Sequence, residues 1–272
     1  MSPGEEKEKS PGPGPGTGPG MNRGIIAGIV VIVIAIVLFA VAVLGTSGSP
    51  SPGCDPRDGT CTPPALTTPP PTTTPVVKTA RPTVELYVMS FCPFGVQVEK
   101  VMKPVVALLA NSTDFRVYYI ANVPGTDLST AKSLHGNAEA IEDARQLCIL
   151  ARSPASYWEY LGAFDTQCYS LWMNQTQLGA CQQNVTDQLG ITETVKECMT
   201  GNEGYELLKA DSAAVNGAGI TSSPTIMING QKYTGRRTSE SIKQGICDHF
   251  DATPEACSTV LSTEVVAASG SC

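Results

Sequence analysis

The sequence has only two histidines and no two cysteines spaced Cys-x-x-Cys. A zinc-type centre built from its ten cysteines is therefore not expected. No Lys/Arg-rich stretch is present, and the formal net charge is −7. Nothing in the chain is arranged to neutralise phosphates, so no nucleic-acid partner is expected. The acidic balance reads as an ordinary soluble surface. No nucleotide-binding loop and no Ser-His-Asp order is evident, and no cofactor is expected. Charged residues make up only 16% of the chain, and its 21 prolines cluster in two places. The 272 residues are thus not one domain. Setting the biased segments aside leaves roughly 175 residues, enough for one well-cored domain.

Residues 1–24 contain E-E-K-E-K followed by G-P-G-P-G-T-G-P-G and read as a disordered tail, because no core can form from them. Residues 25–44 are 20 uncharged residues, mostly Ile, Val, Ala and Leu. At about 1.5 Å per residue they span a hydrocarbon layer of roughly 30 Å, which predicts a transmembrane helix contacting the lipid bilayer. A long signal peptide starting at Met21 is the alternative. Arg23 abuts the apolar run on its N-terminal side, which favours the tail inside and the remainder outside. Residues 45–82 are rich in Ser, Thr, Pro and Gly and predict a semi-rigid, extended stalk with O-glycosylation candidates. Cys54 and Cys61 lie within it, close enough to close a small loop.

From Thr83 the pattern becomes globular and extends to residue 258, with 259–272 as a C-terminal tail. Val84–Met89 predicts a buried strand. Residues 94–109 predict a helix with Val98, Val101, Met102, Val105, Leu108 and Leu109 on one face and a kink at Pro104. Phe115–Ala121 predicts a second strand. A helical block follows at about 126–216, including a segment opened by Ser153-Pro154 with a stripe of Tyr157, Leu161, Phe164, Cys168 and Leu171. Thr225–Ile228, Asn229-Gly230 and Lys232–Thr234 predict a type I′ hairpin, and Ser239–Phe250 a closing helix.

Two motifs fall at the strand junctions of this β-α-β, helices, β-β-α order. F-C-P-F-G at 91–95 sets Cys92 at the start of the first helix. S-S-P-T-I-M-I-N-G at 222–230 precedes and forms the hairpin. Over roughly 83–257 the chain resembles the DsbA-like branch of the thioredoxin superfamily. F-C-P-F-G matches the family's F-C-P-[FYH]-C pattern at four positions and departs at Gly95, where the second cysteine would stand. S-L-H-G at 133–136 with Q-L-C at 146–148 is more faintly similar to lysosomal thiol reductases. The resemblance implies an α/β thioredoxin-like fold with an inserted helical subdomain. It also implies a cis bond at Ser223-Pro224 and a client-binding loop of Ser223, Pro224 and Thr225.

The chemistry of Cys92 can be argued locally. Its thiolate would be the nucleophile. The free N–H groups and positive dipole end of the helix favour that anion, and the amides of Phe94 and Gly95 remain available after Pro93. With Gly95 in place of a second cysteine, Cys92 can still attack a disulfide, but release needs an external thiol or another cysteine of the chain. The expected function is a membrane-anchored, extracytoplasmic thiol-disulfide oxidoreductase acting through the single thiol of Cys92. Its partners would be cysteine-containing protein or peptide clients and a small thiol or membrane redox partner. A lone cysteine after a strand is also often a small buried hydrophobe, and the alternatives are a redox-inactive, thioredoxin-like peptide-binding module or a purely structural disulfide at Cys92.

Cys148, Cys168, Cys181 and Cys198 are candidate structural disulfide cysteines of open connectivity, and Cys247 with Cys257 reads as a local staple. If these pairs and Cys54–Cys61 form, Cys92 and Cys272 remain; Cys272 reads as a frayed end that happens to carry a thiol, the alternative being a flexible C-terminal cysteine that resolves Cys92. Asn111, Asn174 and Asn184 head glycosylation sequons. Sequons and cysteines together favour an oxidising compartment, with the domain outside the cell membrane. His135 reads as a solvated or capping loop residue, with lining the site as the alternative, and Arg236 and Arg237 as part of a solvated face.

Overall fold

A computed structural model describes residues 75–272. The apolar run at 25–44, most of the stalk and Cys54 with Cys61 lie outside the described residues. Among the described residues, no helix is long and apolar enough to cross a membrane.

The centre of the domain is strand β1, Thr83–Val88, whose Val84, Leu86 and Val88 are at most 2% exposed. Alternate apolar residues on one face of a strand must be covered, and helix α1, Pro93–Leu109, supplies part of the cover with Val98, Val101, Met102 and Val105. Strand β2, Asp114–Tyr119, runs parallel to β1 in the register Leu86 to Val117. Strand β3, Thr225–Ile228, is antiparallel to β1 in the register Leu86 to Ile226. Strand β4, Gln231–Lys232, closes the edge, giving the order β2-β1-β3-β4. A parallel pair joined through a helix, next to an antiparallel hairpin preceded by a cis-proline, is the thioredoxin-like topology.

The hairpin is dictated by Asn229-Gly230. Both residues have positive φ, 48° and 75°, as a type I′ turn requires, and those two residue types tolerate it best. Asn229 does more than turn: its Oδ1 accepts from the Thr83 N–H at 2.9 Å, and its Nδ2 donates to the Val77 carbonyl at 2.8 Å. The turn therefore locks the chain that leads into β1.

Between β2 and β3 lies the helical block: α2, Asn137–Arg152; α3, Pro154–Ala163; α4, Gln175–Gln188; α5, Thr192–Thr200; and α6, Glu203–Gly217. Helix α2 is its hub and packs on α3, α5 and α6. Helix α7, Ser239–Cys247, packs back against α1 with Ile242 and Ile246 buried.

Several expectations need correction. Ser153 does not cap α3 with its side chain. It is also the closing residue of α2, and its backbone (φ −141°, ψ 55°) leaves the carbonyl, not the hydroxyl, to accept from the Ser156 N–H. The stripe from Tyr157 to Leu171 is buried as expected up to Cys168, but it continues past α3 through a π-helical turn and a 3₁₀ turn. Pro104 lies inside α1, as expected, and is exposed along with Lys100, so water can serve the carbonyl that proline leaves unbonded. The return strand is two residues long, though the Tyr233 N–H still reaches the Ile226 carbonyl at 2.9 Å.

Candidate functional site

Cys92 is the N-cap of α1 and is fully buried. Its Sγ accepts from the Gly95 N–H at 3.3 Å, as an N-cap side chain does toward the third helical residue. Pro93 occupies the first helical position, where a missing N–H costs nothing, and Phe94 is half-buried. Across from the sulfur, the Ser223 carbonyl oxygen lies 3.6 Å away, and the Ser223-Pro224 bond is cis. The Ser223 hydroxyl accepts from the Met89 N–H at 3.1 Å and ties this loop to the end of β1. Thr225 is buried, and its hydroxyl donates to the Ser222 carbonyl at 2.8 Å. The two sequence motifs, more than 130 residues apart, thus form one site. An open groove of about 440 Å³ lined by Met89, Ile120, Leu134, Ile220 and Thr221 adjoins it. Ser222 to Thr225 also border a second hollow with Tyr233 and Arg237.

Gly95 is held by geometry. A Cβ at this position would lie 3.0 Å from the Met89 carbonyl oxygen and 3.1 Å from the Ser223 hydroxyl. A side chain at the position where the resemblance calls for a second cysteine therefore fits only if the Met89 carbonyl or the Ser223 hydroxyl gives way by a few tenths of an ångström.

The expectation of a frayed Cys272 is overturned. Cys272 is disulfide-bonded to Cys92, with Cα atoms 5.4 Å apart. The segment that carries it is a strap laid against α7 and α1. The Leu261 N–H donates to Glu240 Oε2 at 2.7 Å, and the Glu240 N–H donates to the Ser262 carbonyl at 3.0 Å. Lys243 Nζ reaches the Thr259 carbonyl, and Gln97 Nε2 reaches the Val266 carbonyl. Leu261 and Val266 pack on the core. Bonds from Gln97, Glu240 and Lys243, residues distant in sequence, give the strap an order that its composition did not suggest. The other described pairs are Cys148–Cys198, Cys168–Cys181 and Cys247–Cys257.

The backbone just before Cys92 is held by two buried carboxylates one turn apart on α2. Glu139 Oε1 accepts from the Phe91 N–H at 2.8 Å, and Asp143 Oδ1 accepts from the Ser90 N–H at 3.0 Å and from the Ser90 hydroxyl. Glu139 also binds His135, through its backbone N–H at 2.8 Å and its Nδ1 at 2.9 Å. His135 is thus a part-buried member of the support beneath Cys92 rather than a solvated loop residue. The Phe91 ring stacks on Phe164 and tilts against Trp172, whose own ring meets His135 edge-on. Sequence reasoning missed Glu139 and Asp143. The available signal was their i, i+4 spacing on a helix just after S-L-H-G.

Burial dominates the electrostatics below the site. It pushes the Asp143 carboxyl well above the usual range, with Glu139 adding to the rise and the Ser90 bonds opposing it. Burial, then Asp165 and Asp143, raises the Glu99 carboxyl as well, and burial lifts Asp165 to about 7. Glu142 is raised by burial, against the charge of Arg145 and bonds from Gln146 and Tyr160.

Asn111, Asn174 and Asn184 are all exposed, although Asn174 Oδ1 caps α4 through the Gln177 N–H. Arg236 and Arg237 are exposed, as expected. Among the described residues, no cluster of His, Cys, Asp and Glu is placed to hold a metal ion.

Residues 117–247 match the profile of the vacuolar sorting receptor thioredoxin-like domain. Vacuolar-sorting receptor 3 of Arabidopsis thaliana is 28% identical over 162 residues, covering 54% of this chain and 25% of the relative. Vacuolar-sorting receptor 1 of Pisum sativum is 26% identical over 172 residues, covering 57% and 27%. The chain spans about a quarter of the length of these curated relatives. Among solved structures, the reduced disulfide bond oxidoreductase DsbG of Mycobacterium tuberculosis aligns with a TM-score of 0.47 at 16% identity, over 71% of this chain and 93% of that one. The thiol-disulfide oxidoreductase MdbA of Actinomyces oris aligns at 0.48 and 13% identity, over 64% and 83%. The profile match begins at Val117, beyond Cys92, and contains Pro224, while the receptor alignments extend over 162 and 172 residues.

Proposed function

We propose that this protein is an extracytoplasmic thiol-disulfide oxidoreductase whose nucleophile is Cys92, carried on a single N-terminal membrane span and a stalk. One observation carries the reading: Cys92 Sγ sits at a helix N-terminus, accepts the Gly95 N–H, and faces the carbonyl before a cis-proline. A sulfur so placed is stabilised as thiolate once reduced, because the amide and the helix dipole both favour the anion. The extended backbone of a cysteine-containing peptide would pair beside Ser223, Pro224 and Thr225. The exposed Asn111, Asn174 and Asn184 support the oxidising compartment this chemistry needs. The test is reduction of insulin by the full-length protein with a small thiol as electron source. Cys92→Ser is expected to abolish it; equal rates for mutant and wild type would refute the reading.

The second reading is a peptide-binding module without redox turnover. It is favoured by the receptor-domain profile match, which takes in the cis-proline loop and leaves out Cys92. It predicts binding of unfolded peptides that survives Cys92→Ser.

A further inference from the structure

The Cys92–Cys272 bond supplies what position 95 lacks. We propose that Cys272 is the second redox residue of this site, resolving Cys92 from the strap, and that external small thiols reach the pair through Cys272. The inference rests on the thiol-disulfide reading of Cys92.

Two asymmetries set the direction. Cys92 has no exposed surface, whereas Cys272 is exposed. An incoming thiolate must approach along the S–S axis; the fully buried Cys92 is closed to it, which leaves attack at the exposed residue, Cys272. Attack at Cys272 expels Cys92 as the leaving group, and that thiolate has the Gly95 N–H and the end of a 17-residue helix to receive it. A better-stabilised thiolate departs faster. The strap is fastened by Glu240, Lys243 and Gln97 up to Val266, but beyond that the bond and the approach of Gly270 to Pro93 hold it down. Breaking the bond frees that last stretch while the rest stays docked. Cys92 is then uncovered with its resolving thiol still tethered nearby.

The cycle balances. A small thiolate attacks Cys272 Sγ, forms a mixed disulfide there and releases the Cys92 thiolate. Cys92 attacks a client disulfide, forms a bond to one client sulfur and releases the other as thiolate. A second small thiol removes the first from Cys272 as a small-molecule disulfide. The Cys272 thiolate then attacks Cys92 Sγ, restores the intramolecular bond and releases the remaining client thiolate. Two small thiols are oxidised and one client disulfide is reduced.

The experiment uses the full-length protein purified without reductant. About one equivalent of glutathione is added, the reaction is quenched in acid, and free thiols are alkylated before mass spectrometry. Glutathione is expected on Cys272 and the alkyl group on Cys92. The reverse assignment, or a Cys272 that alkylates before glutathione is added, overturns the proposal. In parallel, Cys272→Ser is mixed with insulin. Without a resolving thiol it should accumulate a Cys92–insulin mixed disulfide at least about tenfold above wild type. Wild-type behaviour of Cys272→Ser sinks the role of Cys272 and leaves Cys92 chemistry standing. If neither protein bonds insulin covalently, the oxidoreductase reading itself fails.

Discussion

Replacing Gly95 by alanine sets two effects against each other. Alanine is the better helix former, and the change should by propensity alone gain about 0.5–1 kcal/mol. The added Cβ, however, lands 3.0 Å from the Met89 carbonyl oxygen and 3.1 Å from the Ser223 hydroxyl. The first neighbour is backbone at the end of β1, and the second is the acceptor for the Met89 N–H. Overpacking a tight site costs about 1–3 kcal/mol. Losing the Met89–Ser223 bond adds about 1 kcal/mol. The clash should win, leaving Gly95→Ala about 1–3 kcal/mol less stable, a fall in Tm of roughly 5 °C for a domain of this size. Thermal and urea melts of the oxidised proteins measure it directly. If Gly95→Ala melts at or above wild type, position 95 is not closed by geometry. The same cost applies to Gly95→Cys, so restoring the usual second cysteine is expected to loosen the cis-proline loop rather than rebuild the activity.

Other expectations follow from the same structure. Removing the 50-residue cross-link Cys148–Cys198 as a double alanine variant should cost about 4 kcal/mol by loop entropy, read as a lower urea midpoint with a steeper slope, because the unfolded chain without the cross-link exposes more surface. Glu139→Gln leaves one acceptor oxygen where Glu139 serves Phe91 and His135 with two; a loss of about 1–3 kcal/mol is expected, with slower attack by Cys92 on a disulfide probe. Burial raises Asp211 to about 7 against the bond it accepts from the Tyr119 N–H. The folded state therefore holds a proton there that the unfolded chain has lost, so stability should fall as pH rises from about 4 to about 7. Asp211→Asn, which cannot titrate, should flatten part of that slope in urea melts taken across the range; an unchanged slope would count against the raised value.

Much of the fold is legible because local rules and tertiary packing agree. The alternation of β1, the 3–4 spacing of α1 and the Asn229-Gly230 turn each specify an element that burial then rewards. The meeting of Cys92 with Ser223-Pro224 was legible only through two motifs at strand ends. What could not be read are features with no local signature. Cys272 sits in a polar, small-residue stretch, and its order comes from Gln97, Glu240 and Lys243, residues remote in sequence. Glu139 and Asp143 look like ordinary acidic residues on a helix, and only the packing of α2 beneath residues 90–91 makes them buried acceptors. Ser153 failed as a cap for a related reason: one residue served two helix ends, and propensity describes each end separately.

The spacing of the bond that closes the site has a consequence for biosynthesis. Cys272 is made 180 residues after Cys92, an interval of roughly 10–40 s at ordinary translation rates. Cys148, Cys168, Cys181, Cys198, Cys247 and Cys257 all appear in that interval. A helix-capping thiol suited to attack must therefore wait while six other cysteines pass within reach. The short cross-links Cys168–Cys181 and Cys247–Cys257 can form as soon as their partners are made, which removes four competitors early. Correct maturation is then a race between local pairing and premature capture by Cys92. A folding catalyst that keeps Cys92 reduced until residues 259–272 arrive would act on yield without changing the final structure.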